Sequence, residues 1–278
     1  MGLWAKCKSG IIKWMMREPV SSDVPQCDFE RLKYELRVCD VLLFEGKSRV
    51  SEMIKLITQS PWSHSALYIG RIHDIENPML RERVLQYYNG SLNDHLVIEG
   101  MLGKGTIVTS LESYQSAHIR VCRPNGISRR DAGSVIEFAI GRLGMQYGIR
   151  QNLDLARLLF PWGILPRRWR SSLFRRNTGT PTEEICSSMI AEAFNSVNFP
   201  VLPVIRQAED NSVKLYRRNP NLFTPRDFDY SPYFEIIKYP YITINQEGVY
   251  RQLPWQEAIT SEHEEDPSPN TKVYDSSH

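Results

Sequence analysis

Residues 62–70 have the sequence Trp-Ser-His-Ser-Ala-Leu-Tyr-Ile-Gly, which places His64 immediately before an apolar segment that ends at a glycine. A short apolar segment bounded in this way is typical of a buried β-strand. Residues 96–100 have a similar pattern, Leu-Val-Ile-Glu-Gly, with the acidic Glu99 at the end of the apolar run. The sequence therefore predicts two strands that carry an imidazole and a carboxylate at their ends.

A cysteine lies later in the chain, near the start of a segment with helical spacing. Residues 182–197 have apolar side chains at helical intervals, Thr182 is a suitable N-cap, and Cys186 falls in the first turns. A helix N-terminus and a nearby imidazolium both lower the pKa of a thiol. A carboxylate that accepts the other ring N–H fixes the tautomer and orientation of a histidine. We therefore predict a catalytic triad in which Cys186 is the nucleophile, His64 the base and Glu99 the residue that orients His64.

Each member of this triad has a structural alternative. Cysteines are often simply buried, and Cys186 precedes apolar residues at 189, 190 and 194. A carboxylate or an imidazole at a strand end is commonly a solvated polar group. The backbone N–H of Cys186 is the expected first donor of an oxyanion hole, and the sequence indicates no second donor. Three other histidines remain as alternative bases: His73, His95 and His118.

The segments around the triad predict an α+β domain. Short apolar runs over residues 40–44, 106–108 and 118–122 indicate further strands, whereas residues 51–58 and 131–143 have helical spacing. The later strands follow one another without an intervening helix. This order favours an antiparallel sheet.

Taken together, these segments resemble the permuted papain-like amidases, which are circularly permuted relatives of the NlpC-type peptidases and of lecithin–retinol acyltransferase. The resemblance covers residues 38–197. The matching segments are Asp-Val-Leu-Leu at 40–43, Ser-His-Ser-Ala-Leu at 63–67, Ile-Glu-Gly at 98–100, Gln-Tyr-Gly at 146–148 and Ile-Cys-Ser-Ser at 185–188.

The resemblance implies a fold and a chemistry. The implied fold is a circularly permuted papain-like one, an antiparallel sheet or half-barrel packed against helices. The implied chemistry is that of a cysteine hydrolase with the same three residues in the same roles. The chain departs from the family pattern where Cys39 replaces a glycine, Gly148 an aspartate and Ser188 a glutamate. These departures leave the triad intact but leave the substrate group open.

The sequence predicts four regions: an amphipathic helix over residues 1–18, a linker over 19–34, the catalytic domain over 35–245, and an acidic, mostly disordered tail over 246–278. The first region has an apolar face bordered by lysines, which suits a helix lying in a membrane interface. A helix that docks on its own domain or on a partner protein is the alternative. The residues predicted to bind a membrane are Leu3, Trp4, Lys6, Ile11, Lys13 and Trp14.

Residues 150–176 contain seven arginines and one acidic residue, interleaved with leucines and aromatic residues. The segment lies between the expected helix and Cys186, so we predict a lid or rim that meets an acidic, acylated substrate or anionic lipid. The alternative is an insertion that packs on the domain with a solvated basic edge. The residues predicted to bind substrate are Trp62, Tyr68, Tyr147, Trp162, Arg167 and Arg168.

The composition narrows the function classes. The net charge of +2 says nothing about a nucleic-acid partner, but no nucleic-acid-binding module surrounds the basic segment, which argues against such a partner. The five cysteines form no CxxC pair and no zinc-ligand cluster, so we expect no metal, no cofactor and a reducing compartment. No apolar run approaches the roughly 20 residues that cross a membrane. We expect a cytoplasmic protein with a peripheral membrane association.

The predicted function is hydrolysis of an amide, in a peptide-like or lipidated substrate, through a thioester acyl-enzyme. The first alternative is a membrane-associated thiol acyltransferase or lipid ester hydrolase of the lecithin–retinol acyltransferase type. The second is a non-catalytic, membrane-associated binding protein. The partners expected are an acylated peptide or lipid substrate and an anionic membrane surface.

Overall fold

The structure is a computed structural model of the 278-residue chain, described here over residues 27–101, 104–146, 183–208, 211–244, 247–253 and 255. In the helix that begins at Glu183, side chains are described from Cys186 onward. The chain divides into two compact units, residues 1–241 and 242–278. In the second unit, the described residues form one helical turn, Val249–Gln252, whose Tyr250 carbonyl accepts a hydrogen bond from the Trp255 indole at 2.7 Å.

The described part of the first unit contains helices and strands in an α+β order. The helices are α1 (Phe29–Glu35), α2 (Arg49–Thr58), α3 (Pro78–Tyr87), α4 (Arg129–Gly141), α5 (Glu183–Ser196) and α6 (Pro225–Tyr230). The strands are β1 (Val41–Glu45), β2 (His64–Gly70), β3 (Leu96–Met101), β4 (Gly105–Ser110), β5 (His118–Pro124), β6 (Val204–Gln207), β7 (Val213–Tyr216) and β8 (Phe234–Ile237).

Short polar side chains begin several of the helices. Asp28, Ser48 and Ser128 precede α1, α2 and α4, and each accepts a hydrogen bond from a backbone N–H of the first turn at 3.0–3.1 Å. These caps satisfy N–H groups that have no partner within the helix. Helix boundaries are therefore set locally by the sequence.

Six strands form one antiparallel sheet in the order β4-β3-β2-β1-β5-β8, and β6 and β7 form a separate hairpin. Within the large sheet, His64 lies opposite Phe44 of β1, and Ala66 lies opposite Glu99 of β3. The predicted α+β class with an antiparallel sheet is confirmed. The sheet brings the two strands of the predicted triad side by side.

The sheet is apolar on both faces, and successive residues of a strand point to opposite faces. Leu67 and Ile69 of β2 face a core that includes side chains of α4 and α5. Ala66 faces a second core, which α1 covers with its two buried residues, Phe29 and Leu32. His64 shares the face of Ala66, whereas Ser65 points to the side on which α5 packs.

The structure corrects one boundary and leaves others open. The predicted linker is wrong for residues 29–34, which form most of α1 because Asp28 caps the helix and two apolar side chains anchor it. The predicted helix over 1–18 and most of the predicted tail lie outside the described residues. Among the residues that are described, no helix is long and apolar enough to cross a membrane.

Candidate active site

His64 is the first residue of β2, and the sheet holds its backbone in place through the pairing with Phe44. Its ring lies beside a pair of aromatic rings, Phe44 and Tyr114, with centroid distances of 5.8 Å to Phe44 and 6.3 Å to Tyr114. The side chain is 23% exposed, so the imidazole remains accessible from one side. A rigid strand with an aromatic support therefore presents one imidazole at the edge of the core.

Glu99 is fully buried in β3 and receives hydrogen bonds from two side chains. Its Oε2 atom bonds with Nε2 of His64 and accepts a hydrogen bond from the hydroxyl of Tyr114, whereas its Oε1 atom is buried without a hydrogen-bond partner among the described residues. Burial alone raises the pKa of a carboxyl group, but these hydrogen bonds and the charge of His64 lower the pKa of Glu99 below its usual value. Glu99 is therefore ionised at neutral pH despite its burial.

The contact with Glu99 fixes the tautomer of His64. An ionised carboxylate can only accept hydrogen bonds, so Nε2 of His64 carries a proton. The nitrogen left to exchange a proton with the thiol of Cys186 is Nδ1. This arrangement leaves Nδ1 able to take and return one proton.

Cys186 is the fourth residue of α5, and its thiol is almost completely buried at 4% exposure. Burial raises the pKa of this thiol, but the charge of His64, the hydrogen bond with His64 and hydrogen bonds from the Ser65 side chain and backbone lower the pKa to about 7. The position in the first turn adds the partial positive charge of the helix N-terminus. About half of the thiol is ionised at neutral pH.

The same interactions act on His64 in the opposite sense. Burial lowers the pKa of His64, but the thiolate of Cys186 and the carboxylate of Glu99 raise the pKa to about 10. The two groups therefore form a thiolate–imidazolium pair between about pH 7 and pH 10. A nucleophile and a proton donor thus coexist over the physiological range.

The three alternative histidines make other contacts. His95 Nδ1 lies 2.7 Å from the hydroxyl of Tyr68, His118 Nδ1 lies 3.2 Å from a carboxylate oxygen of Glu45, and His73 lies 3.6 Å from Asp74. The imidazole that the structure brings to Cys186 is that of His64.

Two of the predicted substrate-binding residues lie elsewhere. Trp62 is 1% exposed, donates its indole N–H to Asp229 at 3.2 Å and packs under the guanidinium of Arg120 at 4.6 Å. It is a core residue because both of its faces are covered, so the predicted substrate contact is wrong. Tyr68 is four residues along β2 from His64, about 13 Å away, and borders a separate cavity of about 400 Å³. Its predicted role in the same site is likewise not supported.

The other predicted substrate-binding and membrane-binding residues lie outside the described residues. The structure adds one residue that the sequence did not indicate, Tyr114, whose hydroxyl donates a hydrogen bond to Glu99. In the described part of the chain, no group of three or more His, Cys, Asp or Glu side chains could hold a metal ion.

Residues 35–157 match the sequence model of the permuted papain-like amidase enzymes of the YaeF/YiiX, C92 family. This is the permuted papain-like amidase family predicted from the sequence. The match includes His64 and Glu99 and ends before Cys186. The permuted papain-like fold and the enzyme class, a papain-like cysteine amidase or peptidase, are confirmed.

A solved structure is also similar. The similar structure is the crystal structure of the metalloprotein yiiX from Escherichia coli O157:H7. The two chains align over 73% of this chain and 97% of the yiiX chain, with 14% sequence identity and a TM-score of 0.42. No curated protein matches the chain.

Proposed function

We propose that this permuted papain-like amidase cleaves an amide in a peptide-like or lipidated substrate through a thioester acyl-enzyme on Cys186. The observation that carries the proposal is the hydrogen bond between His64 and the buried carboxylate of Glu99, together with the charge of His64 that lowers the pKa of Cys186 to about 7. A preformed thiolate beside a protonated base is what acyl transfer to sulfur requires.

In the first half of the reaction, the thiolate of Cys186 attacks the amide carbonyl carbon and a C–S bond forms. The carbonyl oxygen becomes an oxyanion, which the backbone N–H groups in the first turn of α5 can stabilise. His64 donates its Nδ1 proton to the nitrogen of the leaving group. The C–N bond then breaks, an amine leaves, and a thioester remains on the enzyme.

In the second half, the neutral Nδ1 of His64 takes a proton from a water molecule, whose oxygen attacks the thioester. The C–S bond breaks, the carboxylic acid leaves, and the thiolate–imidazolium pair is restored. Glu99 accepts the Nε2 proton as a hydrogen bond throughout and stabilises each imidazolium. His64 and Tyr114, which both hydrogen-bond to Oε2, keep Glu99 ionised in its buried position.

A second candidate function is acyl transfer, in which an acceptor molecule replaces water in the second half. The seven arginines interleaved with aromatic residues over 150–176 favour this candidate, because such a segment suits an anionic lipid surface. We extend the proposal to an acylated peptide or lipid substrate presented at such a surface.

Incubation with a panel of acylated peptides and phospholipids tests these candidates. Release of a free acid supports the hydrolase, and recovery of the acyl group on an added acceptor supports the transferase. A Cys186→Ala variant is the control, and its thermal unfolding shows that the fold is retained. Turnover that persists in Cys186→Ala contradicts the mechanism, and no turnover with any member of the panel supports the binding protein instead.

A further inference from the structure

Tyr114 is the last residue of a helical turn that lies between β4 and β5, outside the strands that carry the triad. The turn covers four residues, Leu111–Tyr114, and its first residue is completely buried and donates its backbone N–H to the His95 carbonyl at 2.8 Å. Ser110 caps the turn, since its hydroxyl accepts a hydrogen bond from the Glu112 N–H at 3.3 Å. The turn is therefore tied to the start of β3.

The Tyr114 side chain contacts two members of the triad at once. Its hydroxyl donates to Oε2 of Glu99 at 2.5 Å, and this is the same oxygen that bonds with Nε2 of His64. Its ring centroid lies 6.3 Å from that of the His64 imidazole, with an angle of 27° between the planes, and 4.1 Å from that of Phe44. One side chain thus meets the carboxylate with its polar end and the imidazole with its ring.

The carboxylate of Glu99 needs a second donor if it is to keep one orientation. The last torsion of a glutamate side chain has broad energy wells, so a single hydrogen bond leaves the carboxylate able to turn about its axis. Oε1 is buried and has no hydrogen-bond partner among the described residues. The donors that define the plane of the carboxylate are therefore His64 and Tyr114, both at Oε2.

We propose that Tyr114 is a positioning residue of the triad, which fixes the Glu99 carboxylate through its hydroxyl and the plane of the His64 imidazole through its ring. The inference rests on the proposed function, in which Glu99 orients His64. Tyr114 acts through these two residues and so differs from the catalytic residues themselves.

The nucleophile is held by a separate contact. Cys186 is followed in α5 by Ser187, whose Oγ atom lies 3.1 Å from Oγ of Ser65 in β2. Ser65 points to the face of the sheet opposite to that of His64, whereas Tyr114 packs on the His64 face. A change at Tyr114 should therefore disturb the carboxylate and the imidazole while leaving the nucleophile in place.

The test is the Tyr114→Phe variant, which removes the hydroxyl and keeps the ring. Its kinetics are measured with the member of the panel of acylated peptides and phospholipids that the wild type turns over fastest. We expect kcat to fall by about 10- to 100-fold, because a misplacement of about 1 Å in a catalytic geometry has effects of up to that size. We expect KM to stay within about twofold, because the lost hydrogen bond is made to Glu99.

A second readout needs no substrate. The Nε2–H proton of His64, held in its hydrogen bond with Glu99, should give a downfield proton NMR signal that solvent exchange broadens when the bond is loosened. Spectra are recorded at about pH 8, below the pKa of about 10 for His64, and the signal is assigned by its absence in His64→Ala. In Tyr114→Phe we expect the signal to move upfield and broaden.

Tyr88→Phe is the matched control. Tyr88 is also a half-buried tyrosine whose hydroxyl donates to a carboxylate, that of Asp94. It follows the last residue of α3, and Asp94 lies just before β3. We expect kcat and the NMR signal to be unchanged in this variant. Equal effects in both variants would show a general loosening of the domain and would overturn the positioning role.

The remaining outcomes separate this inference from the proposed function. A rise in KM with an unchanged kcat in Tyr114→Phe would assign Tyr114 to substrate binding and overturn the inference. A wild-type kcat and an unmoved signal in that variant would also overturn it, while the proposed function stands. If the wild type turns over no member of the panel, the proposed function fails; a displaced signal in Tyr114→Phe then supports the positioning of His64, and an unmoved signal overturns it.

Discussion

Replacement of His64 by alanine is the most direct test of the ion pair in the candidate site. The charge and the hydrogen bond of His64 are the strongest of the interactions that lower the pKa of Cys186 from 9.0 to about 7. In His64→Ala the burial of the thiol remains and its charged partner is lost, so we expect a pKa of 9 or above. A change of two units corresponds to about 2.7 kcal/mol of lost preference for the thiolate.

The size of the kinetic effect follows from two opposing factors. At pH 7 the ionised fraction should fall from about one half to about 1%, a loss of roughly 50-fold. The more basic thiolate is intrinsically about eightfold more reactive, for a Brønsted coefficient of 0.4–0.5. The net expectation is alkylation of Cys186 about sixfold slower at pH 7.

Two assays measure this effect independently. Mass spectrometry of the alkylated Cys186 peptide gives the rate, and thiolate absorbance near 240 nm gives the ionised fraction without a reagent that must enter the site. Cys39 and Cys122 serve as internal controls, because burial raises the pKa of each thiol well above that of a free cysteine. Equal titration midpoints for Cys186 in the wild type and in His64→Ala would refute the ion pair.

Four further predictions follow from the same geometry. The pH profile of kcat/KM should be bell-shaped. It should rise through about pH 7 as Cys186 ionises and fall through about pH 10 as His64 loses its proton. A profile that only rises with pH would argue against His64 as the proton donor. Glu99→Gln should lower kcat by at least about 100-fold. The variant should slow alkylation of Cys186 less than His64→Ala does, because the imidazole stays in place. An unchanged kcat would remove Glu99 from the mechanism. Cys39 has a φ of 79°, a backbone conformation that favours glycine. The free energy of unfolding of Cys39→Gly should therefore equal or exceed that of Cys39→Ala by about 0–1 kcal/mol in thermal unfolding. A clearly less stable glycine variant would exclude backbone strain at this position. Deletion of residues 1–17 should release the protein from anionic liposomes in co-sedimentation, and equal binding by the shortened chain would favour a docking helix.

The parts of the fold that could be predicted from sequence are those in which local pattern and burial agree. The apolar runs that carry His64 and Glu99 are strands that are buried on both faces, and the helical spacing around Cys186 is a helix that packs its apolar residues into the core. Helix α1 was missed because only Phe29 and Leu32 of its seven residues are buried, which leaves almost no periodicity to detect.

The site was harder to predict in detail because its geometry depends on strand register and on packing. Tyr114 reaches Glu99 across 15 residues of chain, through a turn whose position no local pattern reveals. The sequence predicts substrate contacts for Trp62 and Tyr68, which flank His64 in the chain. The sheet separates them, since one packs in the core beside Asp229 and the other lies further along β2.

The hydrogen bond between Ser65 and Ser187 joins residues 122 positions apart in the chain. Contacts of such long sequence separation form only after a large loss of chain entropy, and therefore form late relative to local helices and hairpins. Until α5 docks on the sheet, Cys186 is an ordinary thiol without His64 or Ser65 beside it. While the residues beyond β5 are still being synthesised, the nascent chain already contains His64 and Glu99 but has no activated Cys186. The proposed reaction can therefore begin only after α5 has docked on the sheet.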